Sequence, residues 1–96
     1  LKSIQFSPAA KRDLDSIWHY TEERWGTSQA VTYVQLLRDA CLSVASGQQM
    51  TRPVDIREGY RKTNVGSHVI FFRERNEEHL IVLRILHQRM DVNRHL

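Results

Sequence analysis

Hydrophobic and polar positions change period along this chain, and the changes outline its elements. Ser3 to Phe6 alternates, with Ile4 and Phe6 on one side, and reads as a short strand that must join a sheet formed later. Ser7-Pro8 then opens a helix, Ser7 as N-cap and Pro8 at the first helical position. Ala10, Leu14, Ile17, Trp18, Thr21 and Trp25 recur at helical spacing, and Gly26 stops the helix after Trp25. A second helix, capped by Thr27 or Ser28, runs to about Ala45 and ends at Gly47. Its apolar stripe is Ala30, Tyr33, Val34, Leu37, Ala40, Cys41 and Val44. The short connection makes the two helices an antiparallel hairpin. Trp18, Trp25, Leu36 and Leu42 exceed what one buried face requires, which suits either a broad core or a groove for a partner segment.

Gln48 to Gly59 reads as a loop. Three strand-like runs follow: Tyr60 to Asn64, Ser67 to Glu74, and Leu80 to His87. Gaps this short join antiparallel neighbours, not parallel crossovers. A turn at Val65-Gly66 and a loop centred on Arg75 to Glu78 predict two faces. Tyr60, Lys62, Val69, Phe71, Ile81, Leu83 and Ile85 form an apolar face that needs a cover. Arg61, Thr63, His68, Ile70, Phe72, Val82, Arg84 and Leu86 form a mixed face, with Arg61, Ile70 and Arg84 in a row. The predicted architecture is α+β: an N-terminal strand and an antiparallel helical hairpin packed on one face of a mainly antiparallel sheet, in the order β-α-α-β-β-β.

Composition narrows this picture. Ninety-six residues make a single domain across 1–96. No apolar run reaches the roughly 20 residues of a membrane helix. No signal-peptide pattern is visible, and the lone Cys41 fits a reducing cytoplasm. One Cys and scattered His offer no metal spacing, and no cofactor motif is present. Charge is uneven. Residues 1–50 balance five Lys/Arg against five Asp/Glu, whereas residues 51–96 hold nine against six, so the whole +3 excess lies in the sheet half. Eleven of the fourteen basic residues are Arg, a side chain suited to carboxylate or phosphate recognition, so an acidic protein segment and a nucleic acid both fit as partners.

No catalytic motif stands out. A ribonuclease that uses its substrate's 2′-hydroxyl needs only a base, an acid and cations for the scissile phosphate. His87 or His68 as acid/base, with Arg61, Arg84 or Arg89 on the phosphate, would supply these parts. The ordinary alternative is that these are surface or hydrogen-bonded residues of the sheet.

Several stretches together resemble the ParE toxins of bacterial toxin–antitoxin modules, within the wider RelE/ParE superfamily. They are Phe6-Ser7-Pro8-Ala9-Ala10-Lys11-Arg12-Asp13-Leu14, Arg24-Trp25-Gly26, Gly59-Tyr60-Arg61, Val65-Gly66-Ser67-His68-Val69-Ile70-Phe71-Phe72-Arg73, and the ending Val82-Leu83-Arg84-Ile85-Leu86-His87-Gln88-Arg89-Met90-Asp91. The ending is the more specific mark. The resemblance implies a cytoplasmic, non-enzymatic toxin that inhibits DNA gyrase and blocks replication. It further implies neutralisation by a ParD-type antitoxin, a ribbon-helix-helix dimer with a flexible C-terminal segment. The toxin would reach operator DNA only through that antitoxin, in a complex that represses its own operon. Arg61, Arg84, His87, Arg89 and Met90 become candidates for gyrase contact. Leu14, Trp18, Trp25, Val34 and Leu37 become candidates for the antitoxin. The superfamily's other branch cuts mRNA in the ribosome. The final nine residues lack the Tyr often found there, and the sheet lacks that branch's denser lysine cluster.

Overall fold

The computed structural model describes residues 2–96. Strand β1, Ser3–Phe6, leads through Ser7 into helix α1, Pro8–Trp25. The Ser7 hydroxyl accepts the Ala10 N–H at 3.0 Å and caps the helix. Gly26, at φ +92°, ends α1 by donating its N–H to the Glu22 carbonyl and at once precedes helix α2, Thr27–Ala45. The expected cap at Thr27 or Ser28 is replaced by Gly26 itself, with no side-chain capping bond. Thr27 instead points back and donates to Glu22. Four further strands complete the sheet: β2 Arg52–Pro53, β3 Arg61–Val65, β4 His68–Glu74 and β5 His79–His87. The two-residue β2 lies within the segment read as loop. The sheet order is β1-β5-β4-β3-β2, with β1 parallel to β5 and every other pairing antiparallel. The α+β architecture expected from the sequence is the one observed.

The register differs from the expected one in two ways. The β3–β4 turn is Gly66-Ser67, because Val65 pairs with His68. That moves the register by two and leaves the β3 and β4 faces unchanged. The second difference has larger effects. Phe71 pairs with Arg84 but Phe72 pairs with Val82, so Leu83 is an extra residue in β5 and forms a bulge. Beyond it the side chains change sides relative to simple alternation. Ile85 joins Ile70 and His87 joins His68, while Arg84 and Leu86 move behind the sheet with Phe71 and Val69. The predicted row of Arg61, Ile70 and Arg84 therefore does not exist. Arg61 lies on the same face as Phe72, and Arg84 on the other.

The bulge also brings Ile85 onto the face that the helices cover. The buried cluster joins Ala10, Leu14, Ile17, Leu37, Ala40 and Cys41 to Val65, Ile70, Phe72, Leu80, Val82 and Ile85. The face read as mixed is thus the covered one. Ile4 and Phe6 of β1 pack against the same cluster. Burying a Leu such as Leu37, fully inaccessible here, contributes roughly 2 kcal/mol. On the opposite face Phe71 and Leu86 are also buried, and with Lys62, Val69 and Val92 they line a hollow of about 140 Å³. Val92 belongs to the C-terminal 3-10 turn, Val92–Arg94, so the end of the chain returns over the back of the sheet.

Helix α1 holds the bulge in place. The Ser7 hydroxyl donates to the Leu83 carbonyl at 2.7 Å. β1 ends opposite Val82, which leaves the β5 edge beyond it without a strand partner. Asp13 fills that position: its Oδ2 accepts the Ile85 N–H at 2.9 Å, and both carboxylate oxygens accept from the Arg84 guanidinium at 2.8 Å. The side chains of Arg84 and Asp13 are 23% and 13% exposed, so the pair is mostly shielded from water. The hydrogen bond to Asp13 holds the Arg84 pKa above its ordinary value. Asp13→Ala removes the partner of a shielded guanidinium and orphans a backbone N–H. It should cost about 2–4 kcal/mol in urea unfolding, and Asp13→Asn, which keeps an acceptor for Ile85, should cost less.

Candidate functional site

The α1–α2 hairpin spreads away from the sheet near the Gly66-Ser67 turn and the C-terminal end of β5. The cleft left between them is about 780 Å³. Helix α1 lines it with Ile17, Tyr20, Thr21 and Trp25, helix α2 with Gln29 and Tyr33, and the sheet end with Ser67, His68, His87 and Met90. Trp25, Tyr20 and Met90 are 70%, 57% and 50% exposed and form an apolar rim. The Arg24 guanidinium lies over the Tyr20 ring, 4.9 Å from its centroid.

A compact polar cluster sits at the sheet end of this cleft. The Tyr33 hydroxyl lies 2.6 Å from His68 Nδ1 and accepts the Ser67 N–H at 3.2 Å. With that N–H at its oxygen, we assign the phenol proton to the short contact with Nδ1, an assignment that places the His68 proton on Nε2. The His87 ring stands edge-on to His68, with centroids 5.4 Å apart. His87 Nδ1 accepts the Arg89 N–H at 3.2 Å, so neutral His87 also carries its proton on Nε2. Burial, and then the neighbouring His87, lower the His68 pKa, while Asp13 opposes them weakly. Both effects favour the neutral form of the His68 imidazole. Gly66 is required beside it: its φ is +57°, and a Cβ there would meet the Tyr33 hydroxyl at 2.8 Å.

The sequence-predicted residues divide between several places. His87 and Met90 reach the cleft, as does Trp25. Arg89 is exposed beside His87. Arg84 is committed to Asp13. Arg61 is committed to Thr51, donating from Nε at 2.9 Å to its hydroxyl and from a terminal nitrogen at 3.1 Å to its carbonyl. The gyrase candidates therefore do not share one basic face. Nor do they lie apart from the helical hairpin, because His87 and Met90 face α1 across the cleft. Among the antitoxin candidates, Leu14 and Leu37 are core residues, 6% and 0% exposed, and cannot touch a partner. Val34 is packed against the core, and Trp18 is half-buried with its ring edge-on to His19. Leu36 and Leu42 are exposed on α2 as surplus apolar side chains. Tyr20, Tyr33 and Ser67 are cleft residues that sequence reading missed. Tyr33 sits on the apolar stripe and reads as core, and nothing local links it to His68, 35 positions away. Cys41 is buried, and burial raises its thiol pKa to about 11, so it is an inert core residue. Among the described residues no group of three or more His, Cys, Asp or Glu could hold a metal, and no helix is long and apolar enough to cross a membrane.

A helical hairpin over a five-stranded sheet is a fold shared with solved structures. The solved structure titled "Chromosomal ParDE TA system from P. aeruginosa" superposes with a TM-score of 0.78 at 22% identity, over 90% of this chain and 95% of that one. The RelBE2 toxin–antitoxin complex from Mycobacterium tuberculosis gives 0.57 at 19% identity, over 91% and 98%. Sequence defines the family. The model for the ParE toxin of the type II toxin–antitoxin system parDE matches residues 4–92. Toxin ParE1 of M. tuberculosis strain H37Rv is 46% identical over 91 residues, 94% of this chain and 93% of that protein. Toxin ParE1 of Caulobacter vibrioides strain CB 15 is 40% identical over 97 residues, 100% and 99%. The chain belongs to the ParE toxin family and is a ParE-type toxin of a toxin–antitoxin system.

The lowered His68 pKa links stability to pH. Between its folded and ordinary values the unfolded chain binds the proton that the folded chain refuses. The His68 contribution is therefore fully present above about pH 6.5 and is lost as pH falls through the folded pKa. His68→Gln should reduce the difference in urea midpoint between pH 8 and pH 5. An unchanged difference would place the acid sensitivity elsewhere.

Proposed function

We propose that this toxin acts by binding protein rather than by cutting RNA: it inhibits DNA gyrase in the cytoplasm, blocks replication, and is not an enzyme. The observation that carries this reading is the engagement of the two sheet arginines. A phosphate clamp needs cations free to meet the scissile group. Arg84 is bonded through both carboxylate oxygens of Asp13, and Arg61 is tied to Thr51. What the toxin presents instead is an aromatic-rimmed cleft with two imidazoles, flanked by the exposed Arg89 and Met90. Aromatic and methionine side chains around a concave apolar patch are typical of protein-binding surfaces.

The neutralising partner is a ParD-type antitoxin, a ribbon-helix-helix dimer whose flexible C-terminal segment orders on the toxin. Family membership supports this partner, and the cleft between α1, α2 and the β5 end is where the structure offers such a segment room. Operator DNA is reached through the antitoxin, and the complex represses its operon. Because His87 and Met90 line the cleft, the antitoxin and the target compete for the same surface.

The direct test is a supercoiling and DNA-cleavage assay with purified gyrase, with translated mRNA as a parallel substrate. Lost supercoiling with accumulated cleaved DNA and intact mRNA is the expected result. Cleaved mRNA with unimpaired gyrase would assign the toxin to the ribonuclease branch, and the Tyr33–His68–His87 cluster would then be its acid/base candidate.

A further inference from the structure

The polar end of the cleft has an unbalanced set of hydrogen-bonding groups. In their neutral forms both imidazoles present an Nε2–H donor, because Tyr33 occupies His68 Nδ1 and the Arg89 N–H occupies His87 Nδ1. The ring centroids stand 5.4 Å apart, edge to face, so the two imidazoles share one end of the cleft. No Asp or Glu lines the cleft, and no Lys or Arg does either. The nearby charged or titratable groups are few. Asp13 on α1 is taken up by Arg84, Tyr20 is on the α1 rim with the Arg24 guanidinium over its ring, Tyr33 on α2 is bonded to His68, and Arg89 follows β5. Two N–H donors inside largely apolar walls, without a carboxylate among the lining residues, are complementary to a carboxylate brought from outside.

We propose that His68 and His87 form a carboxylate-accepting subsite at the base of the cleft, filled by an acidic side chain of a partner segment whose flanking residues are apolar. The occupant is the antitoxin's C-terminal segment, and in this respect the inference rests on the partner reading above. The apolar residues pack between Trp25, Tyr20, Ile17 and Met90, while the carboxylate accepts from the two imidazoles. Electrostatics gives the subsite a direction. A carboxylate beside His68 favours its charged form and opposes the burial and the His87 neighbour that favour its neutral form in the free toxin. Partner binding should therefore take up a proton and tighten as pH falls from 8 to 6.

The experiment follows the imidazole resonances of His68 and His87 by NMR in the intact toxin, with two probes. The first is acetate, compared with chloride at equal ionic strength. The expected result is a saturable shift confined to His68 and His87, with His19, His79 and His95 unmoved. The second is the intact antitoxin. The His68 pKa should rise by at least about one unit in the complex. His68→Gln and His87→Gln should each weaken binding about tenfold and flatten its pH dependence. A parallel unfolding curve for each variant shows whether the fold is retained. Absence of any selective acetate shift overturns the subsite. An antitoxin that binds while both imidazoles stay unmoved overturns the proposed occupant and leaves the partner reading standing. An antitoxin that does not bind removes that reading and with it the occupant, and the acetate result alone then decides whether the subsite exists.

Discussion

The extra residue Leu83 is the constraint on which the rest of the structure depends. One additional position in β5 reverses the alternation of every side chain that follows it. Ile85 turns inward to complete the core under α1, and His87 turns to the same side and meets His68. Arg84 turns outward at a point where β1 has already ended. A bulge leaves backbone groups in need of partners, and the start of α1 supplies them. Ser7 binds the Leu83 carbonyl, and Asp13 takes both the Ile85 N–H and the Arg84 guanidinium. One short stretch of helix therefore fixes the strand edge, satisfies the arginine and sets the register that builds the cleft.

This arrangement separates the two sheet arginines from the histidines and leaves the exposed Arg89 beside His87. A nuclease site brings phosphate-binding cations next to its acid and base. Here Arg84 and Arg61 are engaged in the fold, Arg61 on the helix-covered face and Arg84 at the opposite edge, and the histidines face an uncharged, aromatic-rimmed cleft. Such a surface suits a folded or folding polypeptide better than a phosphodiester. The tyrosine that aligns His68 comes from α2, so the cleft depends on all three parts of the fold: the hairpin, the β3–β4 turn and the end of β5. Gly66 allows the close approach, through both its positive φ and its missing Cβ.

Much of this was legible in the sequence, for reasons that explain where legibility stopped. Ser7-Pro8 and Gly26 mark α1 at both ends because capping chemistry is local, and Ile4 and Phe6 announced a strand needing a later partner. The run Leu80-Ile81-Val82-Leu83-Arg84-Ile85-Leu86 carries no alternation, so it conceals which residue is extra, and every face assignment after Val82 followed from that. Leu14 and Leu37 read as contacts in the sequence because helical periodicity identifies an apolar stripe without separating its buried centre from its margin. The margin, Trp25 and Tyr20 with Met90 opposite, is where the cleft lies. Tyr33 and His68 are joined only by tertiary structure, and no local pattern foretells that bond. Arg61 and Arg84 looked available because sequence shows their charge but not their partners.

The central claim is that this cleft, and not the basic sheet, receives the toxin's protein partner. The most direct measurement is the affinity of the antitoxin for Trp25→Glu toxin. Trp25 is 70% exposed, so the substitution leaves the core intact. Losing a large aromatic contact at the rim of the cleft costs about 2 kcal/mol, roughly a 30-fold weaker Kd. The account predicts a loss of at least about that size, with the circular dichroism spectrum unchanged. An affinity within about twofold of wild type would contradict it and place the partner on another surface.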